Sequence, residues 1–348
     1  MAALGLSESN RKIQGVGRVN NHWDEGDNPG GLAFLDAWGV LLSNPGPMAK
    51  ARAIVKRRKA VRNIRKITKT MQMIATAKFQ KSLKRAVGTK AYSNKVRELV
   101  AEVARNIGDV SHPLLRRPGG NDTSGTIALL VVTSNRGLAG AYNGSVLRMT
   151  SHFIADQERQ KKKIDLFVVG KKGASYFNFQ KRPITQRYDL GDAAKFADAE
   201  KIANVFIEKF TGGQYDAVYV AYMNFISTGV QKANVVPLLP LAGVDAPQAS
   251  RKPGESAPIA TTAVYEFIPD AKTLLDELLP LTVKTAIFQA FLDATTSEHV
   301  ARMISMKSAT DNADKMVKSL TMKYNRARQS QITTELSEIM GGVEAMES

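Results

Sequence analysis

The chain contains no cysteine among its 348 residues, and this absence excludes several classes of protein. A disulfide scaffold, a cysteine-ligated zinc or iron–sulfur site, a cysteine nucleophile and a thiol redox switch all need that residue. Long apolar runs are also missing, because the longest is about eight residues, whereas a helix that spans a bilayer needs roughly 20. We therefore expect no transmembrane segment.

The common motifs of nucleotide and hydrolase chemistry are missing as well. The sequence has no G-x-x-x-x-G-K-[ST] loop and no G-x-S-x-G elbow, which excludes a P-loop nucleotide site and an α/β-hydrolase nucleophile. No two histidines have metal-ligand spacing; the four are His22, His112, His152 and His299. We expect neither a bound metal nor a cofactor.

Acidic residues are scarce in one segment. The chain has 49 Lys+Arg against 32 Asp+Glu, a net charge of +17. The segment Met48–Asn106 holds 18 of the basic residues and only two acids, whereas residues 1–47 carry −2. A protein this basic usually binds an acidic partner, which can be a nucleic acid, an anionic membrane or an acidic protein surface.

The basic segment is predicted to form one long helix. It contains no proline, its one interior glycine is Gly88, and it is rich in the helix formers Ala, Lys, Arg and Met. A coiled-coil seam is predicted from apolar residues at steps of three and four: Ala60, Ile64, Ile67, Met71 and Ile74. The apolar stripe then drifts through Phe79, Leu83 and Val87, and returns with Val96, Leu99, Val100 and Val103. A nucleic-acid-binding helix is the alternative, although aromatic residues are few and no zinc-finger, RRM or KH signature accompanies it.

Residues 108–269 alternate between strand and helix patterns. Strands are predicted at 126–133, 164–169 and 217–222, with a fourth at 235–239 that Pro237 assigns to a sheet edge. Helices are predicted near 139–159, 171–178 and 192–211, and residues 247–258 form a polar loop. Continuous apolar strands with helical crossovers indicate a parallel sheet covered on both faces, in a Rossmann-like α/β domain.

A second long helix is predicted over residues 270–348. Pro269 and Asp270 mark its start, Pro280 predicts a kink or break, and Gly341-Gly342 predict its end. Its apolar seam is formed by Met306, Ala309, Ala313, Met316, Leu320, Tyr324 and Ala327, then by Ile332, Leu336, Ile339 and Val343. Because two helices with narrow apolar seams are unstable alone, we expect this helix to pair with residues 48–107 as an antiparallel coiled coil.

Residues 1–47 differ from the rest of the chain. They contain eight glycines, both tryptophans and no clear periodicity. The segment matches neither a secretory signal nor a transit peptide. We interpret it as an atypical N-terminal extension, and Met48 as a candidate true start.

The segment Ser134-Asn-Arg-Gly-Leu-Ala-Gly140 lies between the first strand and a helix. Rossmann folds bind phosphate at this place, so Arg136 and backbone N–H groups could form an anion site. The alternative is a tight turn in which Gly137 and Gly140 supply conformational freedom. The spacing lacks G-x-G-x-x-G, and both interpretations stay open.

Four segments together resemble one family. Residues 65–78 (RKITKTMQMIATAK), the turn at 134–140, residues 298–312 (EHVARMISMKSATDN) and residues 324–339 (YNRARQSQITTELSEI) are similar to signatures of the γ subunits of F-type ATP synthase. The resemblance covers residues 48–345. Asn135 stands where the family motif usually has Asp, and Ala139 where many members have Cys.

The resemblance implies a non-catalytic central-stalk subunit, a rotor shaft that couples proton translocation to ATP synthesis or hydrolysis. It implies the α and β subunits, the ε subunit and the c-ring as partners, and no nucleic acid. The protein would be peripheral to the membrane through the c-ring. The expected location is the cytoplasmic face of a bacterial inner membrane, with the matrix face of a mitochondrial inner membrane as the alternative.

The resemblance also implies two sets of site residues. The turn set is Ser134, Asn135, Arg136, Gly137 and Gly140. The set expected to contact the β subunits is Lys69, Met73, Lys78, Arg326, Arg328, Gln329, Thr333, Glu335 and Glu338. A nucleotide-dependent activity in the α/β domain is the enzyme alternative.

Overall fold

The computed structural model describes residues 47–107, 112–115, 125–191, 194–241 and 271–347. The predicted loop at 247–258 and residues 1–46 of the predicted extension lie outside the described residues. In chain order the elements are α1 (Pro47–Ile107), a short 3-10 helix (Pro113–Leu115), β1 (Thr126–Val132), α2 (Tyr142–Arg159), β2 (Lys163–Val169), α3 (Lys171–Phe179), β3 (Gln186–Tyr188), α4 (Phe196–Thr211), β4 (Ala217–Phe225), β5 (Gln231–Leu239) and α5 (Ala271–Glu347).

The five strands form one sheet in the order β3-β2-β1-β4-β5. β1 pairs in parallel with β2 and β4, β2 pairs in parallel with β3, and β5 runs antiparallel to β4. The α/β prediction is confirmed, including the edge position of the strand that holds Pro237. The expectation of an all-parallel sheet is wrong for β5, because the short connection from Phe225 to Gln231 permits only antiparallel pairing. β3 was not predicted, because three mostly exposed residues are too short for a periodic signal.

Helices cover both faces of the sheet. In β1, Ala128, Leu130 and Val132 pack in one core cluster with α4 and with residues of both α1 and α5. Leu129 and Val131 pack in a second cluster with α2 and α3. Every residue of β1 after Thr126 is therefore buried, which explains why this strand is continuously apolar instead of alternating.

The two long helices run antiparallel along each other. Residue numbers rise along α1 as they fall along α5 in three successive contacts. The Arg58 guanidinium lies 5.0 Å from the Tyr324 ring centre, Thr310 Oγ1 donates to Thr68 Oγ1 at 2.8 Å, and Gln289 Nε2 donates to the Ala86 carbonyl at 3.4 Å. An ion pair between Arg65 and Asp314 lies at the intermediate level. The predicted pairing of the helices is confirmed.

The seam predicted on α1 is wrong from Ala60 to Ile74, but beyond it Phe79, Val96, Val100 and Val103 are buried as expected. Ile64, Ile67 and Ile74 are 52%, 58% and 53% exposed, and Ala60 is exposed as well. The buried positions are mostly small or polar and repeat every seven residues: Val61, Thr68, Ala75 and Ser82 in one row, and Phe79, Ala86, Ser93 and Val100 in another. Between residues 60 and 74 the large apolar residues indicate the wrong face, because the buried positions of this part are Val61 and Thr68, followed by Ala75.

The seam predicted on α5 agrees better with the structure. Met306, Ala313 and Leu320 are buried, whereas Met316 is exposed. Beyond residue 327 the predicted seam residues are all exposed: Ile332, Leu336, Ile339 and Val343. Only the part of the seam before this point packs within the described chain.

The break considered at Pro280 and the end expected at Gly341-Gly342 are both absent, since the helix is continuous from Ala271 to Glu347. Pro280 costs about 3 kcal/mol inside a helix. Around it, Leu275, Leu279, Val283 and Ile287 are each at most 2% exposed, and their burial offsets that cost. Gly341 and Gly342 do not end the helix, because neither adopts the left-handed conformation that a glycine stop requires.

Contacts divide the chain into two compact units. One is Ile54–Arg326, which holds the sheet and the paired parts of α1 and α5. The other contains, among the described residues, 47–53 and 327–347.

A buried carboxylate lies between α1 and α5. Asp293 is 5% exposed and accepts a hydrogen bond from Gln289 Nε2 at 2.9 Å. Burial raises the pKa of Asp293 from 3.8 to about 6, while the hydrogen bond from Gln289 and the charge of Lys90 act in the opposite direction. The folded chain therefore holds this proton at a pH where the unfolded chain has lost it.

We expect Asp293→Asn to stabilise the chain at pH 7 by roughly 1–3 kcal/mol and to change its stability little at pH 4. Because the pKa of Asp293 is higher in the folded chain, the free energy of unfolding falls as pH rises from about 4 to about 6. An amide does not ionise in this range, so the variant avoids this loss of stability. Denaturant unfolding at both pH values measures it. Asp311→Asn, on an exposed part of α5, is the control and should change stability little at either pH. A wild-type level of stability for Asp293→Asn at pH 7 would contradict the assignment.

Candidate functional site

The turn after β1 is held by hydrogen bonds from its own residues. The Ser134 backbone N–H donates to Asn143 Oδ1 at 3.0 Å, and Asn143 Nδ2 donates to Ser134 Oγ at 2.8 Å. Ser134 Oγ in turn donates to the Arg136 carbonyl at 2.6 Å. Asn143, in the first turn of α2, was not predicted; it lies nine residues from Ser134 and only the fold brings the two together.

Asn135 joins two other segments to the turn. Its Nδ2 donates to the Leu190 carbonyl at 2.7 Å, and its Oδ1 accepts from the Lys171 backbone N–H at 3.1 Å. An aspartate could accept the second bond but could not donate the first. At this position the amide therefore connects the loop after β3 with the start of α3.

Arg302 of α5 donates hydrogen bonds to two backbone carbonyls of the turn, and we call this set of contacts the Arg302 clamp. Its guanidinium donates to the Gly137 carbonyl at 3.3 Å and to the Arg136 carbonyl at 3.4 Å, and forms an ion pair of 2.7 Å with Glu298 one helical turn away. Tyr142 lies close by, and its burial, together with the Glu298 charge, raises its pKa well above the usual range. Sequence reasoning missed this clamp, because 165 residues separate Arg302 from Gly137.

Close backbone approach explains two glycines around the turn. Gly140 has φ +55°, and a Cβ there would lie 2.5 Å from Ser305 Oγ of α5. Gly170 has φ +94°, and a Cβ there would lie 2.3 Å from the Thr133 carbonyl oxygen. Gly137 needs no such freedom, since its nearest neighbour would be the Lys172 side chain at 3.7 Å. These contacts favour the interpretation of residues 134–140 as a tight turn packed on α5.

The three predicted contact residues of α1 lie on its middle part. Lys69 is exposed, Met73 is 56% exposed, and Lys78 is partly buried beside the turn. Thr68 contacts Thr310, and the two helices are antiparallel. This part of α1 therefore lies beside the part of α5 that ends at about residue 310. Their surface position leaves Lys69 and Met73 accessible to another protein.

The predicted contact residues of α5 lie near its C-terminal end and are exposed: Arg326, Arg328, Gln329, Thr333, Glu335 and Glu338. Thr333 Oγ1 donates to the Gln329 carbonyl at 3.0 Å, and Gln331 donates to Glu335 at 2.8 Å. Both bonds stay within the helix.

The structure does not bring Arg326 to the level of the three α1 residues. Arg326 lies two residues beyond Tyr324, which contacts Arg58. Lys69, the nearest of the three, is eleven residues further along α1, about 16 Å of helix. Within the unit Ile54–Arg326, Arg326 and the three predicted residues of α1 therefore lie at separate levels.

Among the residues that the structure describes, no helix combines the length and the apolar character needed to cross a membrane.

Comparison with known proteins points to one family. The family model described as ATP synthase matches residues 50–346. The ATP synthase gamma chain of Rhodopirellula baltica is 43% identical over 301 residues, which cover 86% of this chain and 100% of the relative. The gamma chain of Leptospira biflexa is 37% identical over 300 residues, with the same coverage.

Solved structures show a similar fold. A chain of the Euglena gracilis mitochondrial ATP synthase, from an assembly of OSCP, F1 and c-ring, matches with a TM-score of 0.54 and 19% identity, over 85% of this chain and 94% of that chain. A chain of the rotor from the same organism matches with a TM-score of 0.52 and 17% identity, over 81% and 99%. At these identities the likeness concerns the fold alone.

We expect Gly170→Ala to destabilise the chain by roughly 2–4 kcal/mol, because a left-handed φ and a backbone clash with Thr133 both oppose a side chain there. Thermal and denaturant unfolding measure the loss. Gly144→Ala in α2 is the matched control, since nothing lies within 4 Å of its added Cβ and alanine favours a helix by up to about 1 kcal/mol. Equal stability of Gly170→Ala and the wild type would refute the close packing of Gly170 against Thr133.

Proposed function

Because this chain belongs to the ATP synthase gamma chain family, we propose that it transmits torque between a proton-driven c-ring and three catalytic β subunits. It is the non-catalytic central-stalk subunit of the rotor. The observation that carries the proposal is that the chain spans the full length of the gamma chains it resembles. Rotation of an asymmetric shaft would present different surfaces to the three β subunits in turn.

We further propose the individual partners and the location. The α and β subunits would surround the paired helices, and the c-ring and the ε subunit would bind the opposite end of the rotor. The chain would be peripheral to the membrane and held there through the c-ring. The cytoplasmic face of a bacterial inner membrane is the proposed location, with the matrix face of a mitochondrial inner membrane as the alternative.

The charge of α1 supports this assignment of partners. The segment 48–106 has a net charge of +16, and most of its Lys and Arg side chains are exposed. Acidic loops on the β subunits would be attracted over the whole length of such a surface. Long-range attraction between exposed charges speeds association and sets orientation more than it adds affinity. It therefore suits a shaft that must turn without stopping at one angle.

The predicted contact residues fit two levels of contact. Lys69 and Met73 offer a charge and an apolar surface on the middle of α1. Arg326, Arg328 and Gln329 offer two guanidinium groups and an amide near the end of α5. A guanidinium group can bind a carboxylate through two parallel hydrogen bonds, which gives the second level the stronger individual contacts.

We expect the triple variant Arg326→Ala, Arg328→Ala and Gln329→Ala to lower ATP-driven proton pumping per ATP hydrolysed. Loss of the charge-assisted hydrogen bonds costs about 1.4 kcal/mol or more, which weakens the contact with the β subunits by about tenfold or more. The measurement compares pumping in vesicles with ATP hydrolysis by the same complex.

The control is Lys315→Ala with Lys318→Ala, which removes two exposed cations of α5 outside the predicted set and should leave the ratio unchanged. Unaltered coupling in the triple variant would refute the contact residues. A chain that never co-purifies with α and β subunits would instead refute the proposed function, so the two failures are distinguishable.

A further inference from the structure

The last part of α5 carries an apolar stripe that is exposed in the described part of the chain. Its four side chains follow each other at steps of four, three and four, so they lie on one face of the helix. Each of them is at least 48% exposed, and Met340 and Met346 add further exposed apolar surface. We call this face the α5 tail stripe: Ile332, Leu336, Ile339 and Val343.

The part of α1 that belongs to the same compact unit is too short to cover the α5 tail stripe. The unit contains residues 47–53 of α1 and residues 327–347 of α5. At 1.5 Å per residue the first part is about 10 Å long and the second about 30 Å. Contiguous exposed apolar surface usually marks a site of interaction, so we looked for a segment that could cover the remaining length.

The sequence directly before α1 contains such a segment. Residues 32–42 (LAFLDAWGVLL) lie outside the described residues and are apolar at every position except Asp36 and Gly39. Residue 42 is five positions from Pro47, the first residue of α1. Five residues of fully extended chain span at most about 18 Å, so this segment is tethered close to the unit that holds the α5 tail stripe.

Tethering and charge both favour this segment over a second copy of the chain. A segment on a short linker acts at an effective concentration in the millimolar range, whereas a separate molecule must reach that concentration in solution. Residues 327–347 contain one cation, Arg328, and four glutamates, so two such tails would repel each other. Residues 32–42 carry a single acid, Asp36, and would be repelled less.

We propose that residues 32–42 pack on the α5 tail stripe and cover it in the isolated chain. Leu35, Trp38 and Leu42 follow each other at steps of three and four, so in a helix they would share one face that can pack on the stripe. Another protein that binds the stripe must first displace this segment. The packing takes place within one molecule and does not depend on the proposed transmission of torque.

Tryptophan fluorescence tests this packing, because both tryptophans of the chain, Trp23 and Trp38, precede α1. In the full chain with Trp23→Phe, Trp38 is the single tryptophan that remains. We expect its emission to lie at shorter wavelength, and its quenching by acrylamide to be weaker, than in the same chain unfolded in urea. Both values should be unchanged on dilution, because the two surfaces belong to one molecule.

A pair of substitutions in the α5 tail stripe should release Trp38. Leu336→Asp with Ile339→Asp places two charges where the apolar segment would pack, so both values should shift towards those of the unfolded chain. Both side chains are more than half exposed, and circular dichroism establishes that the variant remains helical. The matched control is Ile64→Asp with Ile67→Asp, which changes two similarly exposed side chains of α1 outside this unit and should leave Trp38 unaltered.

Four results would overturn the proposal. One is an emission maximum and a quenching of Trp38 that already equal those of the unfolded chain, which would leave the α5 tail stripe to another protein. Loss of the protection on dilution would assign the cover to a second copy. Equal shifts in the control and in Leu336→Asp with Ile339→Asp would show that the contact is not specific to the stripe. A native chain whose intact mass shows that it begins at Met48 would lack the segment altogether.

Discussion

The packing of α1 against α5 along a narrow seam is the constraint on which the rest of the structure depends. Thr68, Ala75, Ser82 and Ala86 fill much of the α1 side of this seam, and each buries little apolar surface. At about 25 cal/mol per Å², such a seam cannot hold two long helices together alone. The helices are also anchored on the sheet, where Val100 of α1 and residues 275–294 of α5 join its core. Helix pairing and the α/β domain therefore stabilise each other.

A seam of small residues leaves the larger side chains of α1 on its outer face. Ile64, Ile67 and Ile74 are each more than half exposed, among exposed lysines and arginines. Within the chain alone, these three side chains therefore leave much of their apolar surface exposed to water. The outer face of α1 therefore offers both apolar surface and positive charge for contact with another protein.

The parts of the fold that sequence predicts are those where burial is large and local. β1 is recognisable because both of its faces are buried, and the α5 seam because Met306 and Leu320 are large. The first part of the α1 seam was missed because Thr68 and Ser82 carry no hydrophobic signal. The Arg302 clamp was missed for another reason: an arginine on a helix and a carbonyl 165 residues away share no local pattern. A break at Pro280 was considered because helix propensity is a local property and does not include the burial of Leu279 and Val283.

The clamp also bears on how a rotor of this family can transmit force. Torque that enters the α/β domain can reach α5 through the contacts between them, and α1 packs in the same core cluster as both. Around the turn these are specific and short in range: Arg302 on the carbonyls of residues 136 and 137, Ser297 Oγ on the Met223 carbonyl at 3.3 Å, and the close approach of Gly140 to Ser305. Close-packed contacts of this kind resist sliding far better than screened surface charges do. The chain thus separates two tasks: short-range, partly buried contacts join the α/β domain to α5, and exposed charge on α1 faces outward.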